Sequence, residues 1–214
     1  MQPDDATLRG IEEHAVELAR GAGRILESHF GRAINIEFKA EDKSNPVSEV
    51  DKESEKYLRG AIKARYPDHC ILGEEGADEG PVDSDFLWAL DPLDGTVNYI
   101  NGLPIYSVSI GVLYRGAPMV GCIWVPFPGR SEGVVYHARL NQGAYRNGEA
   151  ISVRKDPTPQ PGQLVIMPRV YRRRYRRRAG RGVPVGEVRR TGSIAYEMAM
   201  TASGVLQYAL FTSP

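Results

Sequence analysis

Two aspartates three residues apart are the first side chains in this sequence whose type and spacing suit chemistry. Asp91 follows the apolar run 86–90, and Asp94 comes after Pro92 and Leu93. Pro92 restricts the backbone where the predicted strand ends, so both carboxylates and the Leu93 carbonyl can point to one place. Oxygen ligands of this kind suit Mg²⁺, which binds through one or two carboxylates and the phosphate of a substrate.

The glycine and threonine that follow Asp94 add a phosphate-binding element. Gly95 lets the backbone approach a ligand closely. If a helix begins here, the amides of Gly95 and Thr96 can face a phosphate. The alternative is that Asp91 and Asp94 only cap a turn or a helix, which is a common use of aspartate. The hexapeptide alone leaves that alternative open.

The distribution of charge favours a bound cation. Between Arg65 and Arg115 the sequence has no Lys or Arg and nine carboxylates. One of them is Glu74, which follows a second apolar run and can bring another acid to the same edge of a sheet. A buried carboxylate without a cation would protonate, and this segment supplies no basic partner of its own. Acids at two strand ends are what a two-metal site for phosphoryl transfer needs.

A mixed pattern of helices and strands must position these side chains. Apolar residues at three- and four-residue steps predict helices over 5–30, 48–65 and 193–202. Strands are predicted over 70–73, 86–90, 106–114, 119–125, 133–138, 163–167 and 206–211, with a hairpin turn at 115–116. This order predicts a layered α/β fold with two subdomains. Residues 1–155 would carry the metal and phosphate site, and residues 156–214 would form a C-terminal α/β subdomain.

The composition excludes several classes of protein. The 214 residues are 42% apolar and 25% charged, with two cysteines. This is the balance of a soluble globular chain, not of a disordered segment or a disulfide scaffold. No apolar run is long enough to span a bilayer, and the N-terminus lacks the pattern of a secretory signal. We therefore expect a cytoplasmic protein without membrane contact, in which Cys70 and Cys122 are reduced thiols.

Five segments resemble the inositol monophosphatase family of Mg²⁺-dependent, lithium-sensitive phosphatases. The longest is Trp88 to Pro104, and the others are Asn45 to Asp51, Gly73 to Gly76, Gly143 to Gly148 and Thr191 to Ser193. They follow the family's order over most of the chain. The resemblance implies a layered α/β/α/β/α sandwich of the inositol monophosphatase and fructose-1,6-bisphosphatase type.

The resemblance also implies a set of metal ligands. They are Glu74, Asp91, the Leu93 carbonyl and Asp94, with Asp91 shared between two ions. The implied cofactor is Mg²⁺, as two or three ions that Mn²⁺ can replace.

The resemblance implies catalytic and binding residues as well. Asp51 and Thr96 would orient and deprotonate the attacking water, and the Gly95 and Thr96 amides would bind the phosphate. Gly192 and Ser193 would contact the substrate.

The implied activity is that of a phosphoric monoester hydrolase. The substrate would be inositol 1-phosphate or a related small polyol or sugar phosphate. Fructose 1,6-bisphosphate and 3′-phosphoadenosine 5′-phosphate are alternatives. The expected partners are a small-molecule phosphate ester and a second copy of the chain in a homodimer.

Three positions depart from the family pattern. A Trp-Asp pair that carries a further metal ligand is not reached before Pro214, so we expect an incomplete C-terminal part and a chain that is weakly active or inactive alone. Leu210 stands where inositol-specific members often have Glu, and Asn45 to Ser48 replaces Asp-Pro-Val-Thr.

A run of arginines forms a separate feature. Residues 169–181 contain eight Arg, interleaved with Tyr171 and Tyr175. We read the run as a solvated face and do not expect nucleic acid as a partner, because no nucleic-acid motif accompanies it. Two alternatives stay open. Some of these arginines could select a second phosphate, or the chain could be a catalytically silent module that binds phosphate or nucleic acid through the run.

Overall fold

Four helices and eleven strands make up the described part of a computed structural model, which covers residues 2–38, 46–74, 76–81, 83–127, 129–156, 160–168 and 186–211. The helices are α1 (Asp5–His29), α2 (Glu49–Arg65), α3 (Thr96–Ile100) and α4 (Ile194–Ala202). The strands are β1 (Ile36–Phe38), β2 (Pro46–Ser48), β3 (Cys70–Gly73), β4 (Phe86–Asp94), β5 (Ser107–Tyr114), β6 (Ala117–Phe127), β7 (Arg130–Arg139), β8 (Ala144–Arg146), β9 (Glu149–Ile151), β10 (Leu164–Ile166) and β11 (Glu187–Arg189).

The central sheet has seven strands in the order β3-β4-β5-β6-β7-β8-β9. β3 and β4 are parallel, and every later neighbouring pair is antiparallel. β1 with β2 and β10 with β11 form two smaller sheets. The parallel register pairs Gly73 with Leu90. The acids that follow these two residues therefore meet at one edge of the sheet.

Helices cover both faces of the central sheet. On one face, α1 packs against β5, β6 and β7, and α2 packs against α1 and β4. Trp88 and Trp124 are fully buried in this core. On the other face, α4 packs on β4, β5 and β6, with Ala199 in one apolar cluster with Val125 and Tyr136. Burying a large apolar side chain contributes about 1.5–3 kcal/mol, so the two cores fix where each strand end lies.

The ends of the helices follow from local sequence. α1 begins after Asp4, whose carboxylate accepts a 2.8 Å hydrogen bond from the Thr7 amide. α2 begins after Ser48, which forms a capping box with Asp51. Side chains of this type at these two positions satisfy amides that have no partner inside the helix.

The predicted mixed α/β fold class and its three helices are confirmed, while two predicted strands are wrong in extent. The strand predicted to end at Leu90 continues to Asp94. The strand predicted over 206–211 is reduced to one parallel bridge between Ile166 and Ala209. The chain turns tightly after α4, where the Val205 and Leu206 amides both bond to the Met200 carbonyl. The segment that follows lies beside β10, with bonds from the Gln207 and Leu210 amides to β10 carbonyls, but it does not form a regular ladder.

Six short elements carry too few residues to show a period in sequence, namely β1, β2, α3, β8, β9 and β11.

The structure leaves other predictions undecided. The division at residues 155 and 156 stays a prediction, and the arginine run 169–181 lies outside the described residues. Across the described ranges, no helix combines the length and apolar character needed to cross a bilayer.

Candidate active site

A β-bulge in β4 presents the two aspartates of the acidic segment. Asp91 pairs with Ser109 and Asp94 pairs with Ser107, so β4 has one residue more than β5 over this stretch. Pro92 lies inside the bulge, beyond the last residue that pairs with β3, where its missing N–H removes no bond to that strand. The strand therefore continues past Asp91 to the point where the chain turns.

Asp91 and Glu74 are in direct contact at the carboxyl ends of β4 and β3. Burial of the Asp91 carboxyl, the negative charges of Glu74 and Asp94, and a side-chain hydrogen bond with Glu74 together raise the pKa of Asp91 to about 8. Asp91 also accepts a 3.2 Å hydrogen bond from the Leu93 amide. A cation beside these carboxylates would favour the ionised form of Asp91, because it supplies a nearby opposite charge.

Asp94 is held by three donors on one of its two oxygens. Its Oδ2 accepts hydrogen bonds from Ser193 Oγ at 2.7 Å, from the Ala195 amide at 2.6 Å and from Ser107 Oγ at 3.2 Å. Ser193 is buried and also caps α4. Because Oδ2 is fixed in this way, Oδ1 is the oxygen that Asp94 can offer to a ligand.

Asp51 and Thr96 form a hydrogen-bonded pair between α2 and α3. Thr96 Oγ1 lies 3.2 Å from Asp51 Oδ1 and 3.0 Å from the Leu93 carbonyl. The other oxygen of Asp51 accepts bonds from the Ser48 amide and hydroxyl at 2.9 and 2.5 Å. Burial raises the pKa of Asp51, while the bonds from Ser48 and Thr96 act in the opposite direction. When Thr96 donates to Asp51, the lone pairs of its hydroxyl are available to accept a proton.

Gly95 makes the turn that links β4 to α3. Its φ of 93° lies in the left-handed region, and a Cβ there would stand 3.0 Å from the Ile105 carbonyl. α3 begins at Thr96, as the phosphate-binding expectation required. Asn98 then ties this turn to the Thr191 carbonyl with a 2.7 Å bond, which brings Gly192 and Ser193 next to it. The substrate-contacting role of Gly192 and Ser193 stays a prediction.

Cations from neighbouring elements neutralise part of the acidic segment. Glu79 pairs with Arg59 at 3.5 Å and also with Lys63, both from α2. Asp85 pairs with Arg115 at 2.7 Å. Neither Glu79 nor Asp85 is buried, and folding gives both of them basic partners from outside the segment, so the argument for a bound cation, which concerns buried acids, does not extend to them.

The residues at the bulge suit a hard divalent cation. Glu74, Asp91 and the Leu93 carbonyl supply oxygen donors only, which is the set that Mg²⁺ prefers while it keeps several waters. Within the described ranges, no three His, Cys, Asp or Glu side chains are already gathered around one point. The donor chemistry fits Mg²⁺, with waters or substrate phosphate completing the coordination.

Sequence reasoning missed several supporting residues. Ser54 donates to the Pro92 carbonyl at 3.3 Å, and its position three residues after Asp51 on a helix placed it on the same face. Ser107 contacts both Asp94 and Ser193. No sequence signal identifies Ser107, because its partners lie 13 and 86 residues away.

Comparison with known proteins shows which family the chain belongs to. Residues 7–213 match the model of the inositol monophosphatase family. The fructose-1,6-bisphosphatase/inositol-1-monophosphatase of Aquifex aeolicus is 33% identical over 210 residues, which cover 92% of this chain and 75% of that protein. The solved inositol monophosphatase from Anabaena superposes with a TM-score of 0.73 at 31% identity, covering 97% of this chain and 77% of its own.

The chain belongs to the inositol monophosphatase family, a family of phosphatases. Some relatives match over a smaller share of their length. The inositol-1-monophosphatase of Synechocystis is 39% identical over 141 residues, which cover 66% of this chain and 47% of that protein. The chain thus spans between 41% and 75% of the length of the curated relatives compared.

Proposed function

We propose that this chain is an Mg²⁺-dependent phosphatase for a small polyol or sugar phosphate such as inositol 1-phosphate. The observation that supports it best is the contact between Glu74 and Asp91 beside the Asp51 and Thr96 pair. Leu93 joins the two, because its amide donates to Asp91 and its carbonyl lies next to Thr96. Acid ligands and a proton acceptor thus occupy one end of β3 and β4.

The bound cations, the Asp51 and Thr96 pair and the backbone amides would have separate roles in hydrolysis. When bound, divalent cations would neutralise the phosphate and lower the pKa of water. Thr96 Oγ1 would accept a proton from the attacking water as it passes its own proton to Asp51 Oδ1. The raised pKa of Asp51 suits this acceptor role, since a carboxylate is a better proton acceptor when its pKa lies nearer to the working pH. The amides of Gly95 and Thr96 would bind the phosphate oxygens.

Phosphate release from purified chain tests the proposal. We expect slow release from inositol 1-phosphate with Mg²⁺ or Mn²⁺, because the departures from the family pattern predict a weakly active chain. We also expect loss of release with a chelator and inhibition by lithium. In an Asp94→Asn variant the side-chain carbonyl can still accept from the Ala195 amide, so the fold should persist while turnover is lost. Release that a chelator leaves unchanged, or a wild-type rate in Asp94→Asn, would contradict the proposal.

The substrate is assigned by comparing esters at one Mg²⁺ concentration. Inositol 1-phosphate, fructose 1,6-bisphosphate, histidinol phosphate and 3′-phosphoadenosine 5′-phosphate cover the named relatives and the alternatives from sequence. Leu210 argues against strict inositol specificity. A preference for either bisphosphate over inositol 1-phosphate would favour the interpretation that an arginine selects a second phosphate.

Light scattering tests the proposed homodimer, and a monomer mass at micromolar concentration would refute it.

A second candidate function is binding of a polyanion through residues 169–181. One relative, 33% identical over 206 residues that cover 71% of it, is named Nus factor SuhB and comes from Haemophilus influenzae. The eight arginines supply the charge for such binding. RNA binding that weakens steeply with salt would support this candidate, and no retention on a polyanion column would exclude it.

A further inference from the structure

A buried ion pair on α2 lies beneath the turn that carries Glu74. Glu55 and Arg59 are one helical turn apart, and Arg59 Nε donates to Glu55 Oε1 at 2.6 Å. Their side chains are only 4% and 9% exposed. Neither residue belongs to the proposed ligands or to the Asp51 and Thr96 pair. The pair follows Asp51 on the same helix, four and eight residues later.

The turn packs directly onto this pair. The Gly76 amide donates to Glu55 Oε1 at 2.9 Å. A Cβ at Gly73 would stand 2.3 Å from both Glu55 Oε1 and Arg59 Nη2, so a larger residue there would require the strand end or the pair to shift. Arg59 also reaches Glu79, which lies beyond the turn. The pair therefore contacts the chain before Glu74 and after it.

A buried ion pair is weak evidence for a role in stability, because taking two charges out of water is costly and apolar side chains of similar volume often replace such a pair without loss of stability. What apolar side chains cannot replace is the acceptor for the Gly76 amide. The effect of the pair should therefore show in the position of the turn.

We propose that Glu55, whose buried carboxylate is paired with Arg59, is a positioning residue that holds Glu74 against Asp91 through the Gly76 amide and so determines the affinity of the cation site. The inference rests on the proposed function, because it concerns the same site. It makes α2 the common support of the two parts of that site, since Asp51 belongs to the first turn of the helix and Glu55 and Arg59 to the next two. Loss of such supporting contacts typically lowers metal affinity by about 10- to 100-fold.

Binding of Mn²⁺ alone to the full chain, followed by electron paramagnetic resonance, tests the proposal without relying on activity. Glu55→Leu/Arg59→Met removes both charges and the acceptor, and we expect its Mn²⁺ affinity to fall about tenfold or more. Glu55→Gln/Arg59→Met also removes both charges but keeps an oxygen for the Gly76 amide, so its affinity should stay near that of the wild type. Unfolding of each variant in chelator reports stability separately.

A second buried pair provides a matched control. Glu12 and Arg139 join α1 to β7 at 2.9 Å, with side chains 11% and 8% exposed, and they touch none of the proposed ligands. Glu12→Leu/Arg139→Met should change the unfolding midpoint and leave Mn²⁺ affinity unaltered. Gly76→Ala tests the contact between the turn and the pair with both charges kept, because its Cβ would stand 2.9 Å from Glu55 Oε1, so the turn and the Glu55 carboxylate must move apart. Its Mn²⁺ affinity should fall as well, which keeps the test decisive if a double variant does not fold.

Three results would overturn the inference. The first is wild-type Mn²⁺ affinity in Glu55→Leu/Arg59→Met or, if that variant does not fold, in Gly76→Ala. The second is an equal loss in the leucine and glutamine double variants, which would trace the effect to charge. The third is an equal loss in the Glu12 and Arg139 control, which would trace it to general destabilisation. Absence of Mn²⁺ binding by the wild-type chain would instead refute the proposed function, and the inference with it.

Discussion

Replacing Asp51 with Asn should separate catalysis from stability at this site. The side-chain carbonyl of the introduced asparagine can accept both bonds that Ser48 now gives to Oδ2, so the capping box and the start of α2 are retained. The side-chain amide group would then face Thr96, which must turn its hydroxyl proton to the Leu93 carbonyl 3.0 Å away. The variant keeps the fold and loses the proton acceptor.

The expected magnitudes follow from these contacts. Three hydrogen bonds to a charged group become bonds to a neutral amide, a loss of about 1 kcal/mol each, and relief of the buried charge offsets part of it. We therefore expect the free energy of unfolding to fall by about 1–2 kcal/mol. Removing a general base lowers turnover by about 10²- to 10⁴-fold.

The assay pairs phosphate release at saturating Mg²⁺ with urea unfolding of the same samples. Ser48→Ala is the matched control, because it removes the N-cap of α2, at about 0.5–2 kcal/mol, and leaves the bond between Asp51 and Thr96 in place. It should lose as much stability as Asp51→Asn and far less activity. Wild-type turnover in Asp51→Asn, or equal loss of turnover in both variants, would show that Asp51 is not the proton acceptor.

Two further predictions concern the acid contact and the turn after β4. In chelator, the raised pKa of Asp91 means that the folded chain binds its proton between about pH 4 and pH 8, so this group's stabilising effect is present at low pH and is lost as the pH rises through 8. Urea unfolding at pH 6 and pH 9 should show that loss in the wild type and little of it in Asp91→Asn, and a wild type that gains stability relative to Asp91→Asn would contradict it. Gly95→Ala should destabilise the chain by about 1–2 kcal/mol more than Gly116→Ala, because both glycines have positive φ but only at Gly95 would the new Cβ meet other atoms, including the Ile105 carbonyl. Thermal unfolding of the pair checks this, and equal losses would mean that the turn has room to adjust.

Local sequence was enough to predict much of this fold. The periods of α1 and α2 and the caps at Asp4 and Ser48 depend on residues within a few positions of one another. The acidic segment, with the four other segments that resemble the inositol monophosphatase family, indicated the family from sequence alone. Local patterns of this kind can be read from the sequence, because residues that are close along the chain are also close in space.

Only the tertiary structure decided how the candidate site is assembled. The parallel register of β3 and β4 sets Glu74 beside Asp91, and the bulge at Pro92 keeps both aspartates at one end of the sheet. Ser107 and Ser193 reach Asp94 across 13 and 99 residues. These contacts depend on which strands pair and which faces pack. That outcome is set by burial over the whole chain, and no local pattern encodes it.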